Sequence, residues 1–111
     1  MRRTTSDLVD EALEHLDALR EHVDDLGLDH RTAFDAVCLR LAVAIDCLSQ
    51  LPPDLRDVVC DGRWPSVRAT RNRIVHGYFS VDEEVVREAV RRDVEPLRHR
   101  LRAAAADLRA P

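Results

Sequence analysis

Apolar residues recur at intervals of three and four along nearly the whole chain, and residues spaced that way share one face only if the backbone is helical. Leu8, Val9, Ala12, Leu13, Leu16, Leu19, Val23 and Leu26 make the first stripe, which predicts a helix from about Ser6 to Leu26. Acids fill its early turns, where the helix dipole favours them, and Gly27 supplies the stop. Phe34, Val37, Cys38, Leu41, Ala44, Ile45 and Leu48 make the second stripe, on a helix capped by Asp29 and running to about Gln50. Pro52-Pro53 ends it, because neither proline has an amide to donate. A short helix over Asp54 to Cys60 is broken by Asp61-Gly62. Trp64-Pro65-Ser66 then opens a third main helix that ends near His76-Gly77. Residues Tyr78 to Val81 read as a connector, and Asp82 caps a last helix with Glu83 and Glu84 in its first turn. Its stripe runs from Val85 to Leu108, with Pro96 inside it as a kink point around Arg92-Asp93. The fold expected is all-α: an antiparallel four-helix bundle with a short extra helix, as one domain over residues 1–111.

The composition points the same way. Aromatics are 4% of the chain and there are only 3 Gly and 5 Pro, too few for a sandwich with many turns. At 111 residues the core is small, so a partner subunit would help to cover it. No apolar run approaches the roughly 18 residues of a membrane helix. The acidic amphipathic N-terminal stretch does not resemble a secretory signal, so a cytoplasmic protein without membrane attachment is expected. Cys38, Cys47 and Cys60 lack metal-site spacing and read as small core residues rather than ligands.

Charge is distributed unevenly. All 17 basic residues are arginine, always charged and able to grip phosphate through two donors at once. From Asp7 to Asp29 there are nine acids against Arg20 alone. From Gly62 to Val81 there is no acid, but there are Arg63, Arg68, Arg71, Arg73 and His76. A net charge of −4 excludes a general nucleic-acid coat, whereas this local positive stretch suits a phosphate site.

Arg71 and His76 stand five residues apart, so on a helix they point about 140° away from each other. His76 shares a face with Asn72 instead. Arg71 and His76 therefore meet more readily where two such helix ends approach each other, as in a symmetric dimer with a shared cleft. RNA cleavage needs a base for the 2′-hydroxyl proton, an acid for the leaving 5′-oxygen and a cation for the phosphorane. Histidine suits proton transfer and arginine suits the cationic role. Asn72 can hold a phosphate oxygen or orient the His76 ring, and Arg68 and Arg73 are candidate RNA-phosphate contacts. No carboxylate cluster for a metal is evident near the segment, and no metal or other cofactor is expected. Taken by spacing alone, Arg71 and His76 also fit plain complements of a helix dipole, and Tyr78 and Phe79 fit packing aromatics.

The stretch Arg71-Asn72-Arg73-Ile74-Val75-His76-Gly77-Tyr78-Phe79-Ser80-Val81-Asp82 closely resembles the signature of HepT-like proteins in the HEPN superfamily: R-N, three residues, then H-x-Y-F-x-V-D. Trp64-Pro65-Ser66-Val67-Arg68 is similar to the family's tryptophan segment, and the resemblance covers most of the chain. It implies a homodimeric helical bundle and a metal-independent endoribonuclease, the toxin of a toxin–antitoxin pair, acting on RNA through R-x4-H-x-Y. It also implies a minimal nucleotidyltransferase (MNT) antitoxin as partner, and Tyr78 as the acceptor of AMP from it. One departure is in the second helix, where many relatives carry I-G-E-A and this chain has Ile45-Asp46-Cys47-Leu48. Asp46 either takes over the role of the missing glutamate or is structural. A second reading of the resemblance is a non-catalytic adaptor or nucleotide-binding partner of the nucleotidyltransferase. DNA is not an expected partner, because no basic recognition helix is present.

Overall fold

The apolar stripes are the surfaces that pack. A computed structural model describes residues 3–77 and 82–111, and among these there are five helices and no strand. They are α1 (Thr5–Leu26), α2 (Arg31–Ser49), α3 (Pro53–Val59), α4 (Trp64–His76) and α5 (Glu83–Arg109). The all-α bundle expected from the spacing is what forms, with α3 as its short extra helix. None of the five is long and apolar enough to cross a membrane.

Helix α1 begins one residue earlier than the stripe suggests because Thr4 caps it. The Asp7 amide donates to Thr4 Oγ1 at 3.0 Å, and the Thr4 amide donates to the Asp7 carboxylate at 3.0 Å. This reciprocal pair satisfies two otherwise orphaned donors. Leu8, Val9, Ala12, Leu16 and Leu19 are buried, and Gly27 ends the helix at φ 81°, a left-handed value natural to glycine.

The cap of α2 is His30 rather than Asp29. The Ala33 amide donates to His30 Nδ1 at 3.3 Å, while the Asp29 side chain is 95% exposed. The helix starts one residue further on, which leaves Asp29 outside it. Phe34, Val37, Leu41, Ala44, Ile45 and Leu48 are buried as their spacing predicts. Between α3 and α4 the chain turns through Asp61 and Gly62, at φ 53° and 71°, and the Gly62 amide closes on the Asp57 carbonyl at 2.9 Å.

Helix α1 packs against both α2 and α5, and α4 packs chiefly against α2. Asp82 caps α5 by accepting from the Glu84 and Val85 amides at 3.1 and 3.4 Å. The helix runs unbroken through Pro96. Two of its arginines reach back to tie down connectors. Arg87 Nε donates to the Leu28 carbonyl at 3.1 Å with its guanidinium 4.5 Å from the buried Phe34 ring, and Arg100 Nε donates to the Val59 carbonyl at 2.6 Å. Each gives an otherwise unpaired helix-end or loop carbonyl a charged donor.

Helix α4 differs from the rest in having no buried residue. Trp64, Val67 and Ile74 rest partly on the core, and Val75 faces outward at 44% exposure. An amphipathic helix normally hides one apolar face. The side of α4 turned away from α2 is open.

Candidate functional site

Helix α4 carries the arginine-rich segment, and its ends are set by local chemistry. Pro65 in its first turn gives up an amide that would have no partner there in any case. At the other end the Gly77 amide donates to the Arg73 carbonyl at 3.0 Å. A Cβ on residue 77 would sit 2.7 Å from that carbonyl oxygen, so the close approach that terminates the helix beside His76 requires glycine.

Two cavities flank α4 and divide its polar residues between them. The first, about 410 Å³, is a groove against α2 and α3. Arg68, Arg71 and Asn72 line it with Trp64, facing Asp46 and Ser49 of α2 and Arg56 of α3. The second, about 170 Å³, lies towards α5 and has an apolar floor that includes Leu41, Ile45, Val67 and Leu97. Arg73 lines this second cavity with Arg63, Arg92 and Arg100 at its polar edge. The structure therefore brings Arg68, Arg71 and Asn72 together and separates Arg73 from them. His76, the last residue of α4, is exposed and lines neither cavity. It continues the face of Asn72 one turn further along, because Trp64, Arg68, Asn72 and His76 follow each other at intervals of four. Tyr78 lies outside the described residues.

The groove keeps much of its positive charge. Arg71 Nε donates to Asp46 Oδ1 at 2.8 Å, and its Nη1 contacts Asn72 Oδ1 at 3.4 Å. Arg56 stacks its guanidinium 4.9 Å from the centre of the Trp64 ring and donates to the Ser49 carbonyl at 3.3 Å. Most arginines elsewhere are matched to acids: Arg20 to Asp24, Arg31 to Glu83, Arg98 to Asp17 and Arg109 to Asp10. Among the described residues Arg56, Arg68 and Arg73 have no carboxylate partner. In the groove itself Arg56, Arg68 and Arg71 meet one carboxylate, Asp46, an imbalance that favours a phosphate-bearing ligand.

Asp46 is the partner of Arg71, a pairing across 25 positions of sequence. Its side chain is 48% exposed and that of Arg71 28%, so the pair adds at most about 1 kcal/mol to stability. Its effect is directional: it holds a long guanidinium beside Asn72 in the groove. Arg56 is a wall residue that the sequence did not single out, because it comes from α3 and lies outside the arginine-rich segment.

Burial pushes the Cys38 and Cys60 thiols up to about 11 and raises Cys47 as well. Cys47 and Cys60 are buried, and Cys38 is partly so, which fits core residues and not reactive thiols. Among the described residues no three of His, Cys, Asp and Glu gather where they would hold a metal ion.

Comparison with known proteins bears on the same helices. A family described as "Ribonuclease HepT-like" matches residues 9–104, from the second turn of α1 to near the end of α5. A protein of Thermococcus cleftensis named "Probable ribonuclease HepT" is 24% identical over 103 residues, covering 88% of this chain and 93% of that protein. No solved structure matches the chain. With nearly its whole length matched, the chain belongs to the HepT-like ribonuclease family of the HEPN superfamily.

Proposed function

We propose that this chain is a metal-independent endoribonuclease toxin that cuts RNA with Arg71 and His76, assisted by Asn72. The observation that carries the reading is the groove along α4, where Arg71 is held ready by Asp46 while Arg68 and Arg56 keep their charge free. A phosphodiester in that groove meets Arg71 where negative charge grows in the phosphorane. His76 moves protons, as base for the 2′-hydroxyl or as acid for the leaving 5′-oxygen. A single chain offers one His76, one helical turn beyond Asn72. Two chains apposed along α4 supply two copies, one for each proton transfer, and cover the helix that otherwise has no buried residue. A homodimer is thus part of the proposal.

The partner proposed is an MNT nucleotidyltransferase antitoxin that silences the toxin by placing AMP on Tyr78, two residues beyond His76. An attached nucleotide would present its phosphate to the same arginines that serve RNA. Incubation with that partner and ATP should add one AMP mass to the wild type and none to Tyr78→Phe; equal labelling of both would remove Tyr78 from the scheme. Expression of the chain alone should halt growth, and Arg71→Ala or His76→Ala should each restore it. Folded variants that remained as toxic as the wild type would overturn the assignment.

That His76 does not line the groove of its own chain favours one second reading, a non-catalytic adaptor of the nucleotidyltransferase. Purified protein that bound such a partner tightly yet cut no RNA would establish it.

A further inference from the structure

We infer that Arg56, braced on Trp64, is a second RNA-phosphate contact placed at the far end of the groove from His76. The inference rests on the ribonuclease reading and extends it, because it makes the substrate a strand several nucleotides long and not an isolated phosphodiester. Trp64, Arg68, Asn72 and His76 form one row along α4, and Trp64 is roughly 18 Å from His76 along the helix axis. At the Trp64 end, α3 brings in Arg56.

Arg56 is held in a way unlike a free surface arginine. Its guanidinium lies 4.9 Å from the Trp64 ring centre, and Nη1 donates to the Ser49 carbonyl at the end of α2. No carboxylate among the described residues answers its charge. The stack and the carbonyl together restrict the planar fork, so little conformational freedom remains to be lost when a phosphate arrives. Nothing about α3 itself demands an arginine here: one hydrogen bond to a helix-end carbonyl and one stack are also available to uncharged side chains. A cation fixed beside an unpaired Arg68 is what a phosphate track requires. A strand with its scissile bond near Arg71 would run past Arg68 to Arg56.

The test measures binding separately from cleavage. The His76→Ala chain, which cannot complete proton transfer under the proposed scheme, is titrated with a single-stranded RNA of about ten nucleotides at several salt concentrations. The protein's one tryptophan reports on the site directly. RNA should change Trp64 emission. Adding Arg56→Gln should weaken binding about five- to tenfold at 0.1 M salt and lower the salt slope by about 0.7, the value for one phosphate on a single strand. Arg56→Lys should retain the slope. In the otherwise unaltered chain, Arg56→Gln should raise KM for the long RNA by a larger factor than KM for a dinucleotide. Equal affinity and an equal salt slope for Arg56→Gln, with only its tryptophan emission altered, would show a purely structural stack and overturn the inference. If RNA binds with the expected slopes but the parent chain cuts nothing, the ribonuclease reading fails while the Arg56 contact stands.

Discussion

Asp46 shows what a single residue does at this site. Its exposed pairing with Arg71 contributes little to folding, so its removal should be read in chemistry and not in stability. Asp46→Asn leaves the guanidinium without its anchor and the groove with one more uncompensated positive charge. RNA should then bind about two- to fivefold more tightly while kcat falls about tenfold, the melting temperature staying nearly constant. Parallel loss of affinity and rate would instead make Asp46 a substrate contact. Arg68, Arg71 and Asn72, which line the groove together, were legible as a group in the sequence because they lie in one short run. The Arg71–Asp46 pair was not, because its halves are on different helices and nothing local joins them. Nor was it legible that most other arginines answer acids or carbonyls: an all-arginine composition reads the same whether its charges are paired or free.

At the scale of elements, periodicity located α1, α2 and α5, start and breaker residues located α3 and α4, and the misplaced starts of α1 and α2 trace to caps. Thr4 draws α1 one residue earlier and His30 starts α2 one residue later than Asp29 would. Both kinds of residue accept an amide hydrogen, so choosing between neighbours depends on backbone geometry that spacing does not contain. The end of α4 carries more consequence, since His76 is its last residue. Gly77→Ala places a methyl 2.7 Å from the Arg73 carbonyl oxygen and must shift one of them. Because Gly77 lies at the end of a helix with no fully buried residue, the variant should fold with a melting temperature close to that of the parent. Its RNA cleavage should drop about tenfold or more as His76 is displaced. Full activity in a folded Gly77→Ala chain would mean that the position of His76 is not set by this turn.

For the whole molecule, the α4 face is the feature that sequence patterning left out. Its apolar residues are too few and too interrupted by arginine to mark a buried stripe, and Trp64, Val67 and Ile74 only rest against a core built mainly by α1, α2 and α5. What results is a stable scaffold holding a cationic helix at its surface, with Arg71 in one groove and His76 at the helix tip. That division is why two apposed chains are proposed as the working unit. The central claim is that this helix cleaves RNA through the 2′-hydroxyl, and the most direct measurement is cleavage of one short RNA by the purified chain with chelator present. The wild type should cut it to a 2′,3′-cyclic phosphate end, a single 2′-deoxy substitution at the cut should abolish that product, and Arg71→Ala and His76→Ala should each slow the reaction about 100-fold or more. Cleavage that survives in both variants, or that ignores the 2′-deoxy substitution, would contradict the account.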